Sequence, residues 1–171
     1  MLIVSSVIPV ATQTSVPATN DGTAIATADI SAGILTYAHW PVEPRSIRLC
    51  MIGTTTMGAR IANRTLVNGQ QLVASRVTAA EFDPQRCDAV YLGRTSVAER
   101  TTIIRSLANR PILSMTDSDP QCLYGSMFCL RSVTSGAAGV TFDLNIDAVS
   151  RSRVRVDPRV LALARRPGAP R

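Results

Sequence analysis

Two short runs in this chain are apolar along both faces. They are Ser46-Ile47-Arg48-Leu49-Cys50-Met51-Ile52-Gly53 and Cys87-Asp88-Ala89-Val90-Tyr91-Leu92-Gly93. Side chains of a strand alternate between faces, so such runs need cover on both sides, which a largely parallel sheet between helices supplies. The neighbouring segments fit that frame. Residues 24–40 have helical spacing, with Ala26, Ile30, Gly33, Ile34 and Tyr37 on one stripe and Pro41 as the stop. The pattern predicts a second helix over residues 56–66 and strands over 71–77 and 111–115. Ser96-Val97-Ala98-Glu99 reads as a capping box opening a helix that runs to Asn109, with Ile103, Ile104 and Leu107 inward.

The end of the chain reads differently. Residues 127–133 and 140–146 flank a Gly-rich turn and form a β-hairpin. Asp157-Pro158 then opens a final helix, with Asp as N-cap, Pro at the first helical position and Val160, Leu161 and Leu163 packing it down. The expected fold is α/β: a single three-layer domain over residues 24–166, with a largely parallel mixed sheet, flanking helices and a C-terminal hairpin. Residues 1–23 read as a truncated signal peptide and linker, and 167–171 as a frayed tail. The first eleven residues are apolar except for Ser5, Ser6 and Pro9, and Val16-Pro17-Ala18 has the spacing of a signal-peptidase site. The basic segment of a leader is missing, so an untethered tail is the rival reading.

All eighteen basic residues are Arg, and the formal net charge is +6. Without lysine, Schiff bases and the P-loop lysine are excluded. The arginines are scattered and only 4% of residues are aromatic, so no base-stacking platform for nucleic acid is visible. Gly53-Thr54-Thr55-Thr56-Met57-Gly58 lies between a strand and the expected helix, as phosphate-cradling loops do, but lacks their signature. Thr55 or Thr56 is the simpler reading there, as an N-cap. Asp117 and Asp119 follow a strand, where α/β ligands bind, and also suit a turn, which is the preferred reading. The single histidine, His39, is read as a helix-end residue. Tyr124-Gly125-Ser126 lacks the form of a nucleophile elbow. No catalytic set, metal site or cofactor site emerges, and the chain reads as a non-enzyme.

Cys50, Cys87, Cys122 and Cys129 contain no C-x-x-C pair. An even number of widely spaced cysteines reads as two disulfides in an oxidising compartment. Three pairings are open. Cys50–Cys87 and Cys122–Cys129 are preferred, the first joining neighbouring strands and the second closing a short loop around Gly125 ahead of the hairpin.

Several blocks together resemble the YfiR family. They are residues 34–41 (Ile-Leu-Thr-Tyr-Ala-His-Trp-Pro), Leu49-Cys50, residues 87–93, residues 122–130 (Cys-Leu-Tyr-Gly-Ser-Met-Phe-Cys-Leu) and residues 142–152 (Phe-Asp-Leu-Asn-Ile-Asp-Ala-Val-Ser-Arg-Ser), continuing to Arg165. The resemblance implies a periplasmic repressor, a homodimer with two disulfides. Such a repressor holds an inner-membrane diguanylate cyclase inactive through the cyclase's periplasmic region, and an OmpA-like outer-membrane lipoprotein releases it. The output is cyclic-di-GMP and biofilm formation. Carried onto this chain, the partner-facing surface comprises Thr36, His39, Asp143, Asn145, Arg151 and Asp157. Position 39 is often Arg in the family and position 143 often Glu, so both side chains are shorter here. The homodimer is also suggested by Ile30, Ile34 and Leu35, which spread round the first helix. Two rival readings remain: a ligand-binding module using the 53–58 loop, and a small α/β enzyme.

Overall fold

The computed structural model describes residues 18–133 and 139–164. Helix α1 (Ala18–Thr36) is followed by strands β1 (Ala38–His39) and β2 (Ser46–Ile52), a 3-10 turn (Met57–Arg60), β3 (Arg64–Thr65) and β4 (Gln71–Val77). Then come β5 (Ala89–Leu92), α2 (Val97–Leu107), β6 (Leu113–Thr116), β7 (Phe128–Val133) and β8 (Gly139–Leu144). The described residues end in α3 (Ile146–Arg151), β9 (Arg155–Val156), a further 3-10 turn (Pro158–Val160) and α4 (Leu161–Ala164).

Seven strands form one mixed sheet in the order β3-β4-β2-β5-β6-β7-β8. The pairs from β4 through β7 are parallel, and both outer pairs are antiparallel. Residues alternate between two cores, as the doubly apolar runs require. Leu49, Met51, Ala89, Tyr91, Leu113, Met115, Phe128 and Leu130 join the larger core with α1. Cys50, Ile52, Val90 and Leu92 join Ile103 and Leu107 of α2 in the smaller one. The expected three-layer architecture and hairpin are present; the hairpin's turn lies outside the described residues.

Three elements differ from expectation. The segment predicted as a helix over 56–66 forms only the Met57–Arg60 turn and then β3. Ile61 is already extended, and Asn63 accepts the Ala74 amide at 2.8 Å. Pairing with the exposed edge of β4 satisfies backbone groups that a helix would have left unpaired there. The second difference is the end of the hairpin: the strand stops at Leu144, and Asn145 caps α3 by accepting the Ala148 amide at 2.9 Å. Third, α1 runs from Ala18 to Thr36, starting and ending earlier than its periodicity suggests. Tyr37 and its successors leave the helix so that β1 can pair antiparallel with β9. His39 therefore sits in a strand rather than at a helix end.

Ile30, Ile34 and Leu35 are all buried within the chain's own core. The apolar breadth of α1 is thus consumed internally and is not spare surface for a second copy. The final helix opens where expected, as a 3-10 turn that Asp157 caps; Val160 is fully buried, but Leu161 is exposed. Leu163 fits over Gly33, where a Cβ would come within 2.8 Å of it. The capping box at Ser96 and Glu99 is present as predicted.

Candidate functional site

Both disulfides pair as expected. Cys50–Cys87 ties β2 to the chain entering β5, with Cα atoms 5.8 Å apart. Cys122–Cys129 closes the loop before β7, with Cα atoms 5.4 Å apart. That loop is held from below by Asp119, which is 2% exposed and accepts the Leu123 and Tyr124 amides at 3.0 and 2.7 Å. This is the turn role read from the sequence. Gly125, at φ +94°, makes the reversal. The loop raises Leu123 and Tyr124 into solvent, with the Arg100 guanidinium 4.2 Å from the Tyr124 ring centre.

The six residues expected to face partners fall in two groups joined by α3. In the first, β1 and β9 bring the end of α1 to the end of the chain. His39 is opposite Arg155, and the Asp157 amide donates to the Tyr37 carbonyl at 2.9 Å. Thr36 spends its hydroxyl on the Ala32 carbonyl. His39 is exposed, with Nδ1 3.4 Å from the Glu43 carboxylate. Hydrogen bonds from the Arg159 side chain and amide, with the nearby His39, hold the Asp157 carboxyl down to about 2.

In the second group, Asp143 lies opposite Cys129 in the β7–β8 ladder and pairs with Arg131 at 3.0 Å. Asn145 follows it. Arg151 closes α3 and pairs with Asp147 at 2.5 Å. Directly beyond it, residues 152–155 and His39 line one open crevice. The six-residue α3, about 9 Å long, links the two groups along the chain, a strip running from Asp143 to Asp157 in sequence.

A second concavity lies at the carboxyl ends of the parallel strands. The chain leaves β2 toward α1, where Arg60 and Arg64 pair with Asp21 and Asp29, and leaves β5 into α2 on the opposite face. Divergent exits from adjacent strands open a crevice there. The exits are stitched together by reciprocal bonds: the Thr54 amide donates to the Arg94 carbonyl at 3.1 Å, and the Arg94 amide to the Thr54 carbonyl at 2.7 Å. Asp117 and Ser118, after β6, complete the walls.

The Thr55 hydroxyl donates to Asp117 and accepts the Gly58 amide at 2.7 Å. It is Thr55 that caps the turn; Thr56, at the N-cap position, makes no side-chain cap bond. Beneath them Tyr91 is fully buried, with its hydroxyl beside Thr55 and Asp117. Burial pushes that phenol well above its usual range, the charge of Asp117 adding to the effect. Burial also raises the Asp117 carboxyl, against the opposing pull of the Thr55 and Tyr91 hydroxyls. Arg94 was not legible as a site residue, reading only as one arginine among eighteen. Asp117, after a strand, was the available signal.

A family model described as YfiR/HmsC-like matches residues 25–165. The chain belongs to the YfiR/HmsC-like family. Its members are periplasmic, non-catalytic regulators of cyclic-di-GMP signalling. The two disulfides of this family member are consistent with an oxidising compartment. The match spans both groups of the strip, both disulfides and the crevice. Among the described residues no helix is long and apolar enough to cross a membrane.

Proposed function

We propose that this chain represses an inner-membrane diguanylate cyclase by binding the cyclase's periplasmic region, and that an OmpA-like outer-membrane lipoprotein releases it by competing for the chain. The proposal rests on membership of a family of periplasmic cyclic-di-GMP regulators. The strip from Asp143 through α3 to His39 and Asp157 supplies the contact surface. It is polar at its rim, and Ile146, 68% exposed on α3, gives it an apolar centre. Interfaces draw most of their affinity from such central apolar anchors, with rim charges setting register and association rate.

The test is calorimetric titration of the chain with the cyclase's periplasmic region, then with the lipoprotein added. Ile146→Ala should weaken binding at least about tenfold, a loss typical of a central anchor. His39→Ala and Asp143→Ala should each weaken it less. Undiminished binding by all three folded variants would place the contact elsewhere. A homodimer is proposed on the resemblance alone, and sedimentation equilibrium at tens of micromolar checks it, a clean monomer refuting it.

A further inference from the structure

We infer that the crevice at the carboxyl ends of β2, β5 and β6 is a binding site for a small hydroxylated anion, a sugar-type phosphate or a hydroxy acid. Its walls are Thr54, Thr55, Thr56, Arg94, Asp117 and Ser118, and its volume is about 290 Å³. That is close to the lower end of the range for small-ligand sites, roughly 300 Å³. The location is the one open α/β sheets use for ligands, where chain exits diverge from adjacent strands. The four-residue 3-10 turn is too short to contribute a helix dipole, so the argument stands on side chains.

Three observations define the ligand. Arg94 is exposed at the mouth and forms no side-chain hydrogen bond or ion pair with the described residues. An unpaired guanidinium presents a planar fork of donors suited to phosphate or carboxylate. Asp117 is half-buried, and its carboxylate has acceptor capacity beyond the Thr55 hydroxyl. A second anion would be repelled there, whereas a ligand hydroxyl would be accepted. Thr54 and Thr56 line the same walls, and their exposed side chains offer hydroxyls that a ligand hydroxyl can meet as donor or acceptor.

The walls are also rigidly built. A Cβ at Gly53 would lie 2.5 Å from the Arg94 carbonyl oxygen, and one at Gly93 would lie 2.6 Å from that of Thr54. Only glycine lets the two exits approach this closely, so the floor is preorganised rather than assembled on binding. Trp40 and the β1–β9 joint lie near the starts of the parallel strands, so the crevice is remote from the His39 and Asp157 part of the strip, whereas Asp143, level with Thr116 through Cys129, lies toward the crevice's end of the sheet.

The experiment is isothermal titration of the full chain with glycerol 3-phosphate and with glycerate, against inorganic phosphate and glycerol as controls. The two hydroxylated anions distinguish a phosphate site from a carboxylate site. At least one should bind about tenfold more tightly than either control. Arg94→Ala should lower that affinity at least about tenfold. Absence of heat with both hydroxylated anions overturns the proposal. So does equal binding of inorganic phosphate, which would mark a simple anion patch, and so does unaltered affinity in folded Arg94→Ala. None of these outcomes bears on cyclase binding, which is measured separately.

Discussion

The Asn145 side-chain amide donates to the Cys122 carbonyl at 3.2 Å, joining the end of the last sheet strand to the start of the disulfide-closed loop. The same side chain caps α3 through its oxygen, and the Asn145 amide donates to the Met127 carbonyl at 2.9 Å. One residue therefore fixes the hairpin exit, the loop and the helix that carries the proposed contact surface.

Two substitutions separate these roles. Asn145→Ala removes cap and tether together and should cost about 1 kcal/mol for the cap alone, lowering the melting temperature by roughly 2–4 °C. Asn145→Asp keeps the capping oxygen and loses only the donor to Cys122. It should retain most of the stability yet weaken cyclase binding as much as Ala does. Calorimetric melting and titration measure the two effects. Equal affinity of the Asp variant and the native chain would show that the tether does not position the surface.

The crossing of Gly53 over Arg94 gives the next test. Gly53 has φ +79°, and a Cβ there would meet a backbone oxygen that cannot rotate away. Gly69 has φ +87° with nothing within 4 Å of a Cβ. Gly69→Ala should cost only the left-handed penalty, about 1 kcal/mol. Gly53→Ala should cost more, on the order of 2–3 kcal/mol, because the Thr54–Arg94 pairing must part. Urea denaturation of the two variants checks the ranking.

How much was legible in the sequence follows from these particulars. Runs apolar on both faces favour central strands, so the sheet was legible, and Cys50–Cys87 was the preferred one of three open pairings. The second helix was not. Met57, Ile61 and Ala62 have acceptable helical spacing, but an unpaired edge on β4 outcompetes local propensity. The partner strip depends on β1 and β9, each two residues long, too short for any periodicity to show. Thr36, His39 and Asp157 could be grouped only through the family resemblance. The crevice was half visible: the Gly53–Gly58 loop and Asp117 stood out, but the placement of Arg94 beside them is a property of three dimensions.

Acid should act on Asp157. Its folded carboxyl is held near 2 by Arg159, below an ordinary 3.8. A depressed carboxyl stabilises the fold above its unfolded value and loses that contribution as pH falls through the folded one. The contribution is therefore complete above about pH 4 and gone near pH 2. Asp157→Asn should melt below the native chain at pH 6, and the gap should close between pH 4 and pH 2. It should also narrow in high salt, because the pair is at the surface. A gap that persists at pH 2 would mean the substitution acts through the capping geometry instead.

The two disulfides should fail in different ways. In the chain-entropy account a bridge stabilises according to the loop it closes. Sequence separations of 37 and 7 correspond to about 4 kcal/mol for Cys50–Cys87 and about 2 kcal/mol for Cys122–Cys129. Cys50→Ser/Cys87→Ser should therefore lose more stability, and its loss of repression should follow the unfolded fraction. Cys122→Ser/Cys129→Ser should lose less stability but more affinity per folded molecule. Its loop meets Asn145, and Cys129 sits opposite Asp143, so releasing the bridge loosens two residues of the contact surface at once. Binding to a loosened surface must re-order it, which costs affinity without unfolding the core. Far-ultraviolet circular dichroism, melting temperature and titration with the cyclase's periplasmic region, measured on both double variants, resolve the two failures. If the short-loop variant keeps full affinity while folded, the contact surface is not the strip joined by α3.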